Sequence, residues 1–205
     1  MTPLALCLAP LCLTLGAAAP DHHEEAEDGW VSMFDGKTLD GWKISENGAW
    51  AVEDGAIKVS GNRSHLFHGK ELTDFVFECE VKTTPGSNSG IFICTKYQDE
   101  GWPTQGYEVQ VNVSHKDPVK SGSLYNTVKR FDAGVPDDEW YTQRIEVRGD
   151  KVRVSINDEL LYEFVEPPGV TIPRKLGKGV IALQAHDPNS VVYFRNLKYK
   201  DLSGE

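Results

Sequence analysis

At 205 residues, 40% hydrophobic and 25% charged, the chain is long enough for one domain with a sizeable core and requires no second domain. A formal net charge of -10 and a pI near 5.1 exclude the clustered cationic surface that phosphate backbones demand, so nucleic acid is not an expected partner. The four cysteines show no Cys-x-x-Cys or other metal-ligand spacing, which excludes a zinc-built fold.

Residues 1–19 carry no charged side chain, are rich in Leu and Ala, and end in Gly16-Ala17-Ala18-Ala19, the pattern of an export signal with a small-residue cleavage site. The expected location is therefore extracytoplasmic, periplasmic or secreted. The segment is short for a spanning helix and no later one qualifies, so no membrane insertion is expected after its removal. Residues 20–28 include the polar run Asp21-His22-His23-Glu24-Glu25-Ala26-Glu27-Asp28, read as a mobile acidic linker. The remaining domain spans 29–205.

From Trp30 onward, short apolar or alternating runs recur between the turn signals Asp35-Gly36, Asp40-Gly41, Asn47-Gly48, Asp54-Gly55, Pro85-Gly86, Gly149-Asp150 and Asn157-Asp158. About a dozen strands and no amphipathic helix are expected. Cys79 and Cys94 flank Thr83 to Gly90; a regular hairpin there would set the two opposite one another, as a disulfide or as a reduced, buried pair. Tyr107-Glu108-Val109-Gln110-Val111 projects Glu108 with Gln110 and turns the valines away. Ile181-Ala182-Leu183-Gln184-Ala185-His186 does the same for Gln184 and His186. Arg144 to Arg148, Val152 to Ile156 and Leu160 to Phe164, joined by turn residues, form successive hairpins. Such a meander predicts an all-β antiparallel sandwich, a jelly roll.

The opening Met33-Phe34-Asp35-Gly36-Lys37-Thr38-Leu39-Asp40-Gly41-Trp42 resembles the start of a large family of exported bacterial domains with a concanavalin-like jelly-roll fold. Asn88 to Phe92, Gly106 to Gln110, Ser121 to Tyr125, Glu139-Trp140, Leu183 to His186 and Phe194 to Asn196 match further family blocks, in order, over residues 29 to 202. The resemblance, to the family of 3-keto-disaccharide hydrolases, 3-keto-glucoside-1,2-lyases and 3-keto-2-hydroxyglucal hydratases, implies action on 3-keto glycosides. It also implies a divalent metal ion as a candidate cofactor, since metal dependence has been described in the family. One departure stands out: family members commonly carry Arg where this chain has Cys94.

The ketone of such a substrate acidifies the hydrogen on C2 and makes O1 a leaving group β to the carbonyl. The chemistry then needs a base near C2, a cationic or hydrogen-donating group near O3, and an acid near O1. Glu108 is the candidate base and His186 the candidate acid or metal ligand. Gln110 and Gln184 are candidates for holding sugar hydroxyls, Trp102 for stacking on a sugar face, and Tyr125 and Lys129 for rimming the pocket, with Lys129 polarising the ketone. The expected partner is a small-molecule or oligosaccharide glycoside. Two alternatives stay open. One is a non-catalytic carbohydrate-binding module. The other is a conventional glycosidase, whose second carboxylate would come from another strand, such as Asp187 or Glu146.

Overall fold

The computed structural model describes residues 25–26, 28–46 and 48–204; the export segment, Cys7, Cys12 and Asn47 lie outside them. Fourteen strands and no helix occur among these residues: β1 Glu25–Ala26, β2 Trp30–Ser32, β3 Trp42–Ser45, β4 Ala49–Glu53, β5 Ala56–Ser60, β6 Ser64–His68, β7 Phe75–Thr83, β8 Asn88–Thr95, β9 Tyr107–Asn112, β10 Tyr141–Arg148, β11 Lys151–Ile156, β12 Glu159–Val165, β13 Val180–Ala185 and β14 Val192–Asp201. They form two antiparallel sheets. The larger has nine strands, ordered β1-β2-β14-β7-β10-β11-β12 with the β4–β5 hairpin joined to β14; the smaller has five, ordered β3-β6-β13-β8-β9. This is the jelly-roll sandwich that the turn spacing predicts.

Alternation along each strand builds the core between the sheets. Phe77, Val81, Ile145, Val147, Val154 and Phe194 supply one layer, and Leu66, Ile91, Val109, Val111, Ile181 and Leu183 the other. The hairpins expected from Arg144 to Phe164 are present. In the β11–β12 turn both Asn157 and Asp158 have positive φ, 48° and 64°, the conformation that matches the right-handed twist of paired strands.

Two expectations fail. Glu25–Ala26, read as linker, pair with Val31 and Trp30 at the edge of the larger sheet. Thr83 to Gly90 is no hairpin: β7 pairs with β10 and β14, β8 with β9 and β13, so the segment carries the chain from one sheet to the other. Cys79 and Cys94 therefore share no ladder, and both are free, buried thiols. The turn residues are compatible with either connection, and the choice between them is made by which strands each flank can pair with.

One core position breaks the apolar rule. Gln143, on the inward face of β10 with Tyr141, Ile145 and Val147, is fully buried, and neither amide atom has a protein partner. An unsatisfied buried amide costs about 1–3 kcal/mol. Gln143→Met, of similar length and without hydrogen-bonding demand, is expected to raise stability by about that much, measured as an increased urea midpoint at unchanged m-value.

Candidate active site

The smaller sheet turns its second face away from the core, yet β6, β8 and β9 are buried along their whole length. Loops cover that face, and what they leave open is a cavity of about 320 Å³ lined from β8, β9, the end of β13 and three loops. Cross-strand register lays its floor out in two rows. Phe67, Ala182, Phe92 and Glu108 stand abreast in one; His65, Gln184, Gly90 and Gln110 in the next.

Gly90 is the gap in the second row. Through it the Glu108 side chain leans across β8, and Gln184 Nε2 donates to Glu108 Oε1 at 3.0 Å. A Cβ at position 90 would lie 2.4 Å from that oxygen, so only glycine admits the contact. Glu108 is 7% exposed. Burial pushes its pKa up to about 7, against the opposing pull of the Gln184 hydrogen bond and the Arg174 charge, with Asp117 adding to the rise. A carboxylate poised near neutrality is suited to proton abstraction. Gln110 donates through Nε2 to Asn88 Oδ1 and to Ser89 O, which fixes the amide and leaves Gln110 Oε1 without a protein partner. Gln184 Oε1 is likewise unpartnered. Two buried carbonyl oxygens in want of donors suit the hydroxyls of a sugar.

His186 follows β13 directly and lines the same cavity. Its Nδ1 lies 2.9 Å from Asp187 Oδ2, and because a carboxylate only accepts, Nδ1 carries the proton and Nε2 is left for the cavity. Asp187 also accepts from the Ser190 hydroxyl (2.8 Å) and the Asn189 amide (2.9 Å). Burial works against the charge on Asp187, but these bonds, His186 foremost, hold its pKa below the usual carboxylate value. Behind it stands His115, whose Nε2 is 3.8 Å from the same oxygen and whose Nδ1 accepts from the Asp117 amide.

The candidates from the sequence meet here with one exception. Glu108, Gln110, Gln184, His186, Trp102 and Tyr125 all line the cavity. Tyr125 is tied to β9 by its backbone N–H to Glu108 O at 2.9 Å. Lys129 does not belong: it is exposed and is not among the residues that line the cavity. The cation of the site is Arg174, from the irregular segment between β12 and β13. Glu166 clamps that segment by accepting from the Tyr107 hydroxyl and the Leu176 amide, both at 2.8 Å, and Arg174 Nη2 reaches Pro103 O at 3.4 Å. No periodicity marks Arg174, and only the packing of its loop brings it in. Asn88, which reads as the end of a turn, is instead the buried acceptor that orients Gln110, and Asp117 enters from the loop after β9. Cys94, in place of the family's Arg, turns into the core with 2% exposure, and burial raises its thiol to about 12. Glu146 lies on the opposite sheet paired with Arg148, and Asp187 is committed to His186, so neither serves as a second catalytic carboxylate.

Among the described residues no three His, Cys, Asp or Glu side chains converge on one point, so the site holds no cluster of that kind for the expected metal.

Residues 29–200, nearly the whole described chain, match the 3-keto-alpha-glucoside-1,2-lyase-like domain. The chain belongs to this family. Among its relatives is the 3-keto-disaccharide hydrolase of Bacteroides thetaiotaomicron, 29% identical with coverage of 67% of this chain; the chain spans 59% of that protein's length. A crystal structure of a "putative glycosyl hydrolase" from Parabacteroides distasonis ATCC 8503 superposes with a TM-score of 0.72 at 25% identity, covering 85% of this chain and 94% of that one. The carbohydrate-binding module CBM66 of Bacillus subtilis superposes at 0.58 with 16% identity over 78% of this chain and 96% of that one, a likeness of fold alone. The polar floor around Glu108 thus lies in a 3-keto-alpha-glucoside-1,2-lyase-like domain, and the strand segments Gly106 to Gln110 and Leu183 to His186 that carry it fall within the matched residues.

Proposed function

We propose that this domain cleaves the glycosidic bond of 3-keto glycosides by elimination and can hydrate the resulting glycal at the same site. The carrying observation is Glu108: one buried carboxylate, raised to about 7, held by Gln184 in a pocket that also contains Arg174 and an Asp187-backed histidine. Glu108 takes the C2 proton. The electron pair forms the C1–C2 double bond as the C1–O1 bond breaks, and His186, in its protonated form with Asp187 balancing the charge, delivers the Nε2 proton to the departing oxygen. Charge developing on O3 during proton removal is met by Arg174, with the Tyr125 hydroxyl as a further donor on the same lining.

Elimination leaves Glu108 protonated and His186 neutral, the state needed for the reverse addition. If water replaces the aglycone, His186 accepts its proton as hydroxide adds to C1, and Glu108 returns a proton to C2. The sum is hydrolysis, with the enzyme restored. Export to the periplasm or exterior, indicated by residues 1–19, would place this activity among extracellular glycosides.

A second reading has one observation in its favour. Asp117 shares the cavity with Glu108 and would supply the carboxylate pair of a conventional glycosidase. An NMR time course with a 3-keto glucoside and the matching unoxidised glucoside, run in heavy water, separates the two. Consumption of the keto substrate alone, with deuterium entering C2, supports elimination. Cleavage of the unoxidised glucoside, lost in Asp117→Asn, would overturn it.

The Arg174 charge lowers the Glu108 pKa, so its removal must raise it. Arg174→Met is expected to move the acid limb of the kcat/KM profile to higher pH, because a base whose pKa rises is deprotonated only in more alkaline solution. An unmoved limb accompanied by a lower plateau would assign Arg174 to substrate contact alone.

A further inference from the structure

Next to the cavity lies a polar side chain that the scheme above leaves unused. His65, on β6, is fully buried, and neither of its ring nitrogens has a protein partner. Its register partner is Gln184, whose Nε2 is given to Glu108 while Oε1 is buried and unpartnered. Burial drives the His65 pKa down to about 4, so near neutral pH the ring holds one N–H donor and one lone pair.

Each such orphan costs about 1–3 kcal/mol, and here they occupy adjacent strand positions on the face that floors the cavity. Paired residues on neighbouring strands place their Cβ atoms about 5 Å apart. A hydroxyl group seated between them can accept from the His65 N–H and donate to Gln184 Oε1, satisfying both at once. The apolar neighbours complete the picture: Phe92 meets the His65 ring edge-on at 5.3 Å, and Trp102 covers it at 5.7 Å. Trp102 is itself 41% exposed. Its other ring neighbours are His186 at 5.4 Å, in a tilted contact, and the Arg63 guanidinium at 5.4 Å.

We infer that His65 and Gln184 form a hydroxyl-recognition subsite beneath Trp102, filled by a ring hydroxyl of the glycoside when the indole turns aside. The subsite rests on the reading of this pocket as a glycoside site, and it adds a specificity-determining residue, His65, together with a gate.

The test is calorimetric binding of a 3-keto glucoside and its 4-deoxy and 6-deoxy analogues to the Glu108→Gln protein, in which chemistry is blocked, alone and combined with His65→Phe or His65→Gln. His65→Phe is expected to bind the parent sugar at least tenfold more weakly and to bind one deoxy analogue as the His65 protein does. His65→Gln, which keeps a donor, should recover part of the loss. Quenching of Trp102 fluorescence on ligand addition, absent in Trp102→Phe, would report the gate. Equal affinity for every ligand with and without the His65→Phe substitution would overturn the subsite, with thermal unfolding confirming that both proteins are folded. Turnover is read separately in the protein that keeps Glu108: unchanged affinity on His65→Phe, with keto-substrate turnover by the Glu108 protein, discards the subsite and keeps elimination. Affinity lost on His65→Phe, with no keto-substrate turnover by the Glu108 protein, keeps the subsite and discards elimination.

Discussion

Glu108→Gln is expected to abolish turnover of a 3-keto glycoside, with a loss of at least about a thousandfold, while making the protein more stable in alkaline solution. The loss follows from removing the base that must take the C2 proton; general-base removal typically costs 10²–10⁴-fold, and the pocket offers no equivalent group seated against Gln184. The gain follows from linkage. The Glu108 pKa is about 7 in the folded protein against 4.5 for the free side chain, so between these values the folded state holds a proton that the unfolded chain has released. Stability therefore falls as pH rises from about 4.5 through 7, by at most about 3 kcal/mol for such a shift. A glutamine is never charged and escapes this penalty, while its side-chain oxygen can still accept from Gln184. Unfolding by urea at pH 4.5 and pH 8 checks the claim: wild type and variant should differ little at the lower pH, and the variant should be the more stable at the higher. A variant less stable than wild type at pH 8 would show that Glu108 is not an uncompensated buried charge.

Gly90→Ala is the second change expected to have a large effect, although position 90 bears no chemical group. Its Cβ would lie 2.4 Å from Glu108 Oε1 and 2.9 Å from Cγ, so the carboxylate must leave its place across β8 and lose Gln184. Position 90 pairs with Gln110 in a regular stretch of ladder, and its φ is not in the left-handed region, so alanine fits the backbone. The sheet should persist while kcat/KM falls by roughly a hundredfold, since misplacement of a catalytic group by about an ångström costs on that order. Kinetics paired with a thermal melt will show whether activity is lost without collapse of the fold.

These expectations rest on features that differ in how local they are. The alternation of Glu108 and Gln110 against Val109 and Val111, and of Gln184 against Leu183, follows from the two-residue period of a strand and needs no knowledge of its neighbours. The same holds for the Asn157-Asp158 turn, whose residue types tolerate positive φ wherever they stand. The blocks from Met33 to Asn196 on which the family resemblance rests all lie inside residues 29–200, which match the family.

Local pattern by itself thus determined the all-β class, the hairpins from β10 to β12, which faces of β9 and β13 are polar, and six of the side chains that meet in the cavity. Tertiary structure alone decided that β7 and β8 part into different sheets, leaving Cys79 and Cys94 as free thiols, because pairing partners are chosen by long-range complementarity that turn residues do not encode. It also decided that Arg174 rather than Lys129 is the cation of the site, since Glu166 and Tyr107 dock the Arg174 loop from 59 residues apart. Most consequentially, it set the acidity of Glu108. A strand carboxylate reads the same in sequence whether its face meets solvent or protein, and only the loops folded over β9, with Gly90 making room beneath them, raise the pKa of this glutamate to about 7.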